Sequence, residues 1–253
     1  MALDKPGAGS LFLFDIDGTL LRGAPPIHRN ALTAAARAVY CVTLKQEDLG
    51  GTAGMTDHAI ARRALRSVGL SDAAITRRLP TYFAAAAAIY EQTVPADLSA
   101  YLTPHAAEAL EWLAAQGATL GLVTGNIQRL AWAKLRAAGL LAHFPLAGAP
   151  EPFPWIGGFG DEGEARETLP PLALARATAI LGQSPLARNT WIVGDTPSDI
   201  ACALANGLNV IAVATGPSHT LDELRACNPT YAIPDLTRLA TLPLWDAPDE
   251  GVA

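Results

Sequence analysis

The chain has 253 residues, half of them apolar and 17% charged, with a formal net charge of −6. That length suits one large domain or a core with a smaller partner, and the apolar content suffices for a sizeable core. The acidic balance argues against a nucleic-acid partner, which selects a basic face, and suits a soluble enzyme that handles an anion in a cation-lined pocket.

In chain order, the first element is the apolar run at residues 11–14, short and aromatic-rich as a buried strand should be. Residues 22–100 read as helical: Arg29 to Tyr40, Thr56 to Val68 and Thr81 to Gln92 carry apolar residues at helical spacing, and no convincing strand lies among them. From residue 105 helices and strands alternate. His105 to Gln116 predicts a helix closed by Gly117, Ala118 to Val123 a strand, Ile127 to Ala138 a helix closed by Gly139, and Phe144 to Ala147 a weak strand. Pro170 to Leu181 predicts a helix, Thr190 to Val193 a strand, Pro197 to Ala205 a helix and Asn209 to Ala214 a strand. A helix over His219 to Cys227 and a short strand over Thr230 to Ile233 follow, and the Pro- and Asp-rich tail from Pro243 is expected to be loosely held. Strands separated by helices mean crossover units and a parallel sheet. The expected class is therefore α/β: a Rossmann-like parallel-sheet core of residues 1–21 and 101–253 flanked by helices, interrupted by an all-helical cap of residues 22–100.

Cys41, Cys202 and Cys227 are odd in number and contain no Cys-x-x-Cys pair, which indicates neither a zinc site nor a disulfide framework. Reduced thiols, no signal-peptide pattern and no apolar stretch long enough to span a bilayer lead to an expected cytoplasmic location without membrane contact.

Three strand ends carry chemistry. The run at 11–14 breaks into Asp15-Ile16-Asp17-Gly18-Thr19. Carboxylates beside a buried strand are costly unless a cation or hydrogen bonds compensate. An Asp-Gly turn is one reading; a Mg²⁺-assisted nucleophile with an acid/base beside it is the other. Thr124-Gly125-Asn126 ends the second strand, where a hydroxyl and a close backbone N–H can meet a phosphate oxygen, although such a turn also serves for capping. Gly194-Asp195-Thr196-Pro197-Ser198-Asp199 ends a third, with Thr196 as N-cap and Pro197 as first helical residue. Complementing a helix dipole explains Asp199 adequately and Asp195 less well. Open α/β sheets bind ligands at the carboxyl ends of their strands, and carboxylates converging there call for a hard cation with oxygen ligands, best Mg²⁺.

With these residues in place, the chain resembles the haloacid dehalogenase-like hydrolase superfamily, and its early helical insert resembles the cap of the phosphoglycolate phosphatase-like branch. The Asp-x-Asp-Gly-Thr motif falls on residues 15–19, the second-motif Thr on Thr124 and Gly-Asp-x-x-x-Asp on residues 194–199. The resemblance implies Asp15 as nucleophile, Asp17 as acid/base, phosphoryl contacts from Gly18, Thr19, Thr124, Gly125 and Asn126, and Mg²⁺ held by Asp15, the Asp17 backbone carbonyl, Asp195 and Asp199. The usual third-motif Lys is missing, since no lysine lies between Lys134 and Asp195. Arg166 precedes the next helix and is the expected replacement, ahead of Arg176 and Arg188; a solvated loop arginine paired with Glu162 or Glu164 is the other reading. Asp17 favours phosphate esters over halides or phosphonates.

The implied function is a Mg²⁺-dependent phosphatase acting on a small phosphorylated metabolite, phosphoglycolate- or sugar-phosphate-like, through an aspartyl-phosphate. A phosphomutase of the β-phosphoglucomutase type is the alternative, and a non-catalytic phosphate-binding module a more distant one. In the insert, the glycine-rich Gly50 to Asp57 reads either as a substrate-facing loop or as a turn with Thr56 or Asp57 as N-cap. Arg62, Arg63, Arg66, Arg77 and Arg78 read as a solvated basic face. Oligomeric state is not legible.

Overall fold

A computed structural model describes residues 5–144 and 155–245. In chain order its elements are β1 (Leu11–Phe14), α1 (Ile27–Tyr40), α2 (Asp57–Ser67), α3 (Asp72–Thr93), α4 (Ala106–Ala115), β2 (Thr119–Thr124), α5 (Gln128–Ala137), β3 (Gly157–Phe159), α6 (Leu169–Leu181), β4 (Thr190–Gly194), α7 (Pro197–Ala205), β5 (Asn209–Val213), α8 (Leu221–Ala226) and β6 (Tyr231–Ile233). The strands form one six-stranded sheet in the order β3-β2-β1-β4-β5-β6, with every pairing parallel. This is the expected α/β architecture.

Strand alternation assigns the two faces. Phe12, Phe14, Leu120, Leu122, Trp191 and Val193 point to the side covered by α4 and α5. Leu11, Leu13, Ile192, Val210 and Ala212 point to the side of α6, α7 and α8. With both faces covered, the strands are apolar throughout rather than alternating. The helices between β1 and β2 pack around a core of their own, built from Leu32, Leu65, Tyr82 and Phe83 among others, and that core extends onto Ile127, the N-cap of α5, and onto Leu130 and Ala133 of the helix. Helix α5 thus has one side against the sheet and another against the helical insert.

The chain builds outward from β1 in one direction and from β4 in the other, so the strand order reverses between these two neighbours. Their carboxyl ends splay helices to opposite faces and leave a crevice. Register aligns Phe14 with both Leu122 and Val193, so Asp15, Thr124 and Asp195 leave the sheet within one residue of the same level.

Most element bounds lie within two residues of those expected from sequence; three readings need correction. Helix α3 starts at Asp72, nine residues before the expected Thr81, because Ser71 caps it by accepting from Ala74 N, and the helix continues through Pro80. The weak strand expected at Phe144 to Ala147 is not the one beside β2: Phe144 follows a 3₁₀ turn, and 145–147 lie outside the described residues. The partner of β2 is Gly157–Phe159, a segment to which the sequence assigned no element. At the other end, Leu244 is buried and Trp245 packs edge-on against Phe12, so the start of the tail belongs to the core; residues 246–253 lie outside the described set.

Candidate active site

The loop after β1 is fixed mainly by its own backbone. Leu20 and Leu21 N–H groups donate to Ile16 O, and Gly18 N donates to Leu21 O at 2.6 Å. Gly18 has φ +94°, and a Cβ there would lie 2.1 Å from Asp195 Oδ2. Both the left-handed conformation and the close approach of Asp195 therefore require glycine. Thr19 Oγ1 donates to Asp195 Oδ1 at 3.1 Å and Thr215 Oγ1 to Gly18 O at 2.6 Å, tying the β1 loop to those after β4 and β5.

Carboxylate oxygens of Asp15, Asp195 and Asp199 lie within 4.8 Å of one another, and all three residues are buried. Arg166 lies among them, with Nη2 at 2.5 Å from Asp199 Oδ1 and 3.1 Å from Asp15 Oδ1. The helix-capping reading of Asp199 also holds, for its Oδ2 accepts from Thr196 N and Oγ1 in a capping box. One oxygen caps α7 and the other pairs with Arg166. Burial pushes the Asp15 carboxyl up to about 6 against the pull of Arg166, with Asp199 and Asp17 adding to the rise. Burial, followed by the charges of Asp15 and Asp199, pushes Asp195 up to about 8. For Arg166, burial opposes the charge, yet Asp199 and Asp15 outweigh it and raise its pKa. Three buried carboxylates facing one guanidinium leave negative charge uncompensated, and this all-oxygen, hard donor set fits Mg²⁺.

Asp17 points elsewhere. Lys134 Nζ lies 2.7 Å from its Oδ1 and 2.5 Å from its Oδ2, and Asn126 Nδ2 donates to Oδ2 at 2.9 Å. Burial would raise the Asp17 carboxyl, but Lys134, His28 and the hydrogen bonds from Lys134 and Asn126 prevail and hold it below its ordinary value. The Asp17 side chain therefore does not enter the carboxylate cluster; any contribution to a metal falls to its main-chain carbonyl. Thr124 Oγ1 accepts from Asn126 Nδ2 at 2.7 Å. At Gly125 an added Cβ would meet Met55 O at 2.1 Å, so glycine is what lets the insert approach this loop.

Sequence reasoning missed three groups. Lys134, on α5, counted only as a lysine on the wrong side of the third motif. His28 is a lone histidine, a type that is more often structural, and carries no site signal in the sequence. Asp57 stood as a possible cap, whereas Thr56 caps α2 by accepting from Ala59 N. In the structure His28 Nε2 lies 2.9 Å from Asp57 Oδ2, Ile127 N donates to the same oxygen at 2.8 Å, and Lys134 Nζ lies 3.3 Å from His28 Nδ1. The only signal in the chain was spacing: Lys134 falls one turn past Leu130 and Ala131, on a helix whose two faces are both covered.

The insert closes over these groups to form a cleft of about 310 Å³ whose walls include Asp15, Arg22, His28, Thr52, Tyr90 and Arg166. Asp57 N donates to Gly125 O at 2.7 Å, His58 N to Gly160 O at 2.9 Å and Thr56 Oγ1 to Glu164 O at 2.9 Å. The loop before α2 thus sits on the loops after β2 and β3. The insert arginines have local partners: Arg62 and Arg66 pair with Asp72 and Glu164, Arg63 donates to Leu49 O and Gly51 O, and Arg78 donates to Val39 O. Arg176 takes Glu162, so Arg166 is not the loop arginine paired with that acid. No helix among the described residues is long and apolar enough to cross a membrane.

Comparison with known proteins supplies relatives for this arrangement. A family model described as haloacid dehalogenase-like hydrolase matches residues 12–204. A probable phosphatase, IndB, of Dickeya dadantii is 29% identical over 229 residues, covering 88% of each chain. A phosphoglycolate phosphatase of Pseudomonas syringae pv. tomato is 28% identical over 233 residues, 90% of this chain and 78% of the relative. Among solved structures, a hydrolase from Pseudomonas syringae superposes with a TM-score of 0.59 at 18% identity, covering 92% of this chain and 96% of the other.

Proposed function

Because the chain belongs to the haloacid dehalogenase-like hydrolase family, we propose that it is a phosphatase that hydrolyses a small phosphorylated metabolite through an aspartyl-phosphate on Asp15. The observation that carries this reading is the Asp15 carboxylate itself, buried at the sheet's switch point beside Arg166 and two further carboxylates. A binding site for an anion has no use for three buried acids; a nucleophile in need of a cation does.

Residues 1–21 and 101–253 are read as the catalytic core and 22–100 as a cap that excludes water over the cleft. Asp15 attacks phosphorus in line, forming a carboxylate O–P bond as the bond to the leaving oxygen breaks. Thr124 and the N–H groups of Gly125 and Asn126 hold the transferring oxygens, with Arg166 neutralising charge beside Asp15. Gly18 and Thr19 keep Asp195 against the β1 loop. Asp17, ionised at rest beside Lys134, takes up the proton that a phosphate monoester monoanion brings with it and passes it to the leaving alkoxide, then takes one from the water that attacks phosphorus and frees Asp15. Mg²⁺, when bound by Asp15, Asp195 and the Asp17 carbonyl with Asp199 in support, supplies charge neutralisation on the phosphoryl oxygens. The modest cleft and the phosphatase names of the relatives support a small substrate, of which phosphoglycolate and sugar phosphates are the first to try.

The test is phosphate release over a panel of sugar phosphates, phosphoglycolate and nucleotides. Asp15→Asn is expected to lower turnover by at least about 1,000-fold, and EDTA to abolish it. Activity that survives EDTA would overturn the metal part. Need for a bisphosphate activator without net phosphate release would instead identify a mutase, and no turnover of any phosphoester a binding module.

A further inference from the structure

We propose that Lys134 is a positioning residue: it holds the Asp17 carboxylate in its working orientation and, through His28 and Asp57, makes that orientation depend on the seating of the helical insert. The proposal rests on the assignment of Asp15 and Asp17 made above. Asp17 has a short side chain that is about half exposed to the cleft, so left alone it would sample several rotamers. Lys134, by contrast, is 4% exposed, and its Nζ reaches both Asp17 oxygens and Asn126 Oδ1, the last at 2.7 Å. Asn126 closes the arrangement by donating to Asp17 Oδ2. A buried side chain thus pins an exposed one from beneath.

The link to the insert runs through one imidazole. With its proton on Nε2, His28 donates to Asp57 and accepts from Lys134 at Nδ1. Asp57, 1% exposed, takes a second hydrogen bond from Ile127 N of the core and donates its own N–H to Gly125 O. Lifting α1 and α2 off the core breaks the His28 contact to Lys134 and both Asp57 contacts to the core. The neighbours of Lys134 on α5, Leu130, Ala133 and Leu135, are apolar and buried, and the Asp17 carboxylate that loses its partner is about half exposed, so it keeps water and escapes part of the cost of an unpaired buried charge.

The experiment compares Lys134→Met, Lys134→Arg and His28→Gln with Asp17→Asn on an alkyl phosphate, glycerol 3-phosphate, and on p-nitrophenyl phosphate, whose leaving group departs without a proton. Lys134→Met is expected to lower kcat on the alkyl ester about 100-fold with KM within about threefold, the range of lost acid–base catalysis. With p-nitrophenyl phosphate it should give a burst of one nitrophenolate per enzyme and then a slow phase, as Asp17→Asn does, because phosphorylation of Asp15 proceeds while its hydrolysis waits on a misplaced base. Lys134→Arg should recover at least about tenfold of the loss, and His28→Gln, which spares the buried lysine, should lower kcat about tenfold. A loss carried by KM alone, a loss without a burst, or full activity in Lys134→Met overturns the proposal. If Asp15→Asn remains active or Asp17→Asn shows no burst, the assignment of those two residues falls instead.

Discussion

Arg166 occupies a place where a lysine would bring the same charge on a stem of different reach. Its Nη2 reaches Asp15, Asp199 and the Val123 carbonyl, while its buried Nε has no hydrogen-bond partner among the described residues. Lysine offers a compact point charge on a shorter, more flexible stem, which does not hold its nitrogen where Nη2 meets both carboxylates. Arg166→Lys is therefore expected to stay folded and lose about 10- to 100-fold in kcat, measured by phosphate release. Arg166→Met removes the cation from a cluster of buried acids and should cost about 3–5 kcal/mol, which lowers the melting temperature by roughly 10 °C; calorimetry would register it, and an unchanged melt would refute the pairing. Gly18→Ala belongs at the same scale. It forces φ +94° on an alanine and puts a Cβ 2.1 Å from Asp195 Oδ2, so turnover in the phosphate-release assay should fall at least about 100-fold.

Elements were legible wherever periodicity and punctuation agreed. The Pro197 to Ala205 helix carries Thr at its N-cap, Pro at its first position and an acid three residues past the cap, and it forms where expected. Strand β3 was not legible because Gly157 and Gly158 carry no β propensity; they are glycines because a Cβ would strike Phe159 at one and Leu169 O at the other. The carboxylates of the site announced themselves as acids stranded behind apolar strands, and Arg166 through the family resemblance, which puts a basic residue just before this helix. Lys134, His28 and Asp57 did not, since their meaning comes from the packing of the insert on α5, through contacts between residues 70 to 106 positions apart. That junction also holds Asp161, which accepts from Gln128 N at 3.0 Å. Burial, with Glu162 and Asp57 adding, pushes its carboxyl from 3.8 up to about 6. A raised folded-state value means the folded protein binds the proton more tightly, so the penalty is absent below pH 3.8, grows as pH rises to about 6 and is complete above it. Asp161→Asn keeps an oxygen for Gln128 and removes the charge. It should raise the melting temperature by about 2–4 °C at pH 7.5, for about 1 kcal/mol, and lose that advantage near pH 4; an advantage that grows on acidification would contradict the assignment.

For the whole molecule, the concentration of negative charge at one edge of the sheet matters more than the net −6. Strands β1 and β4 deliver Asp15 and Asp195 to the switch point, α7 delivers Asp199, and the 3₁₀ turn before α6 delivers the one cation among them. Every contact that aligns these four, from Thr19 on Asp195 to Thr215 on Gly18, exists only in the folded chain. A divalent cation bound by the carboxylates therefore binds the folded state and not the unfolded one, and stabilises it by mass action. At a Mg²⁺ concentration about 100 times its dissociation constant the gain is about 2.7 kcal/mol, or roughly 5–10 °C in melting temperature for a chain of this size. Asp195→Asn should abolish most of that shift, because it removes a charge from the cluster at the oxygen Thr19 does not occupy. Asp161→Asn, outside the cluster, should keep the shift in full. Scanning calorimetry of the three proteins with Mg²⁺ and with EDTA reads both outcomes without any substrate, and equal shifts in all three would place the ion elsewhere on the acidic surface.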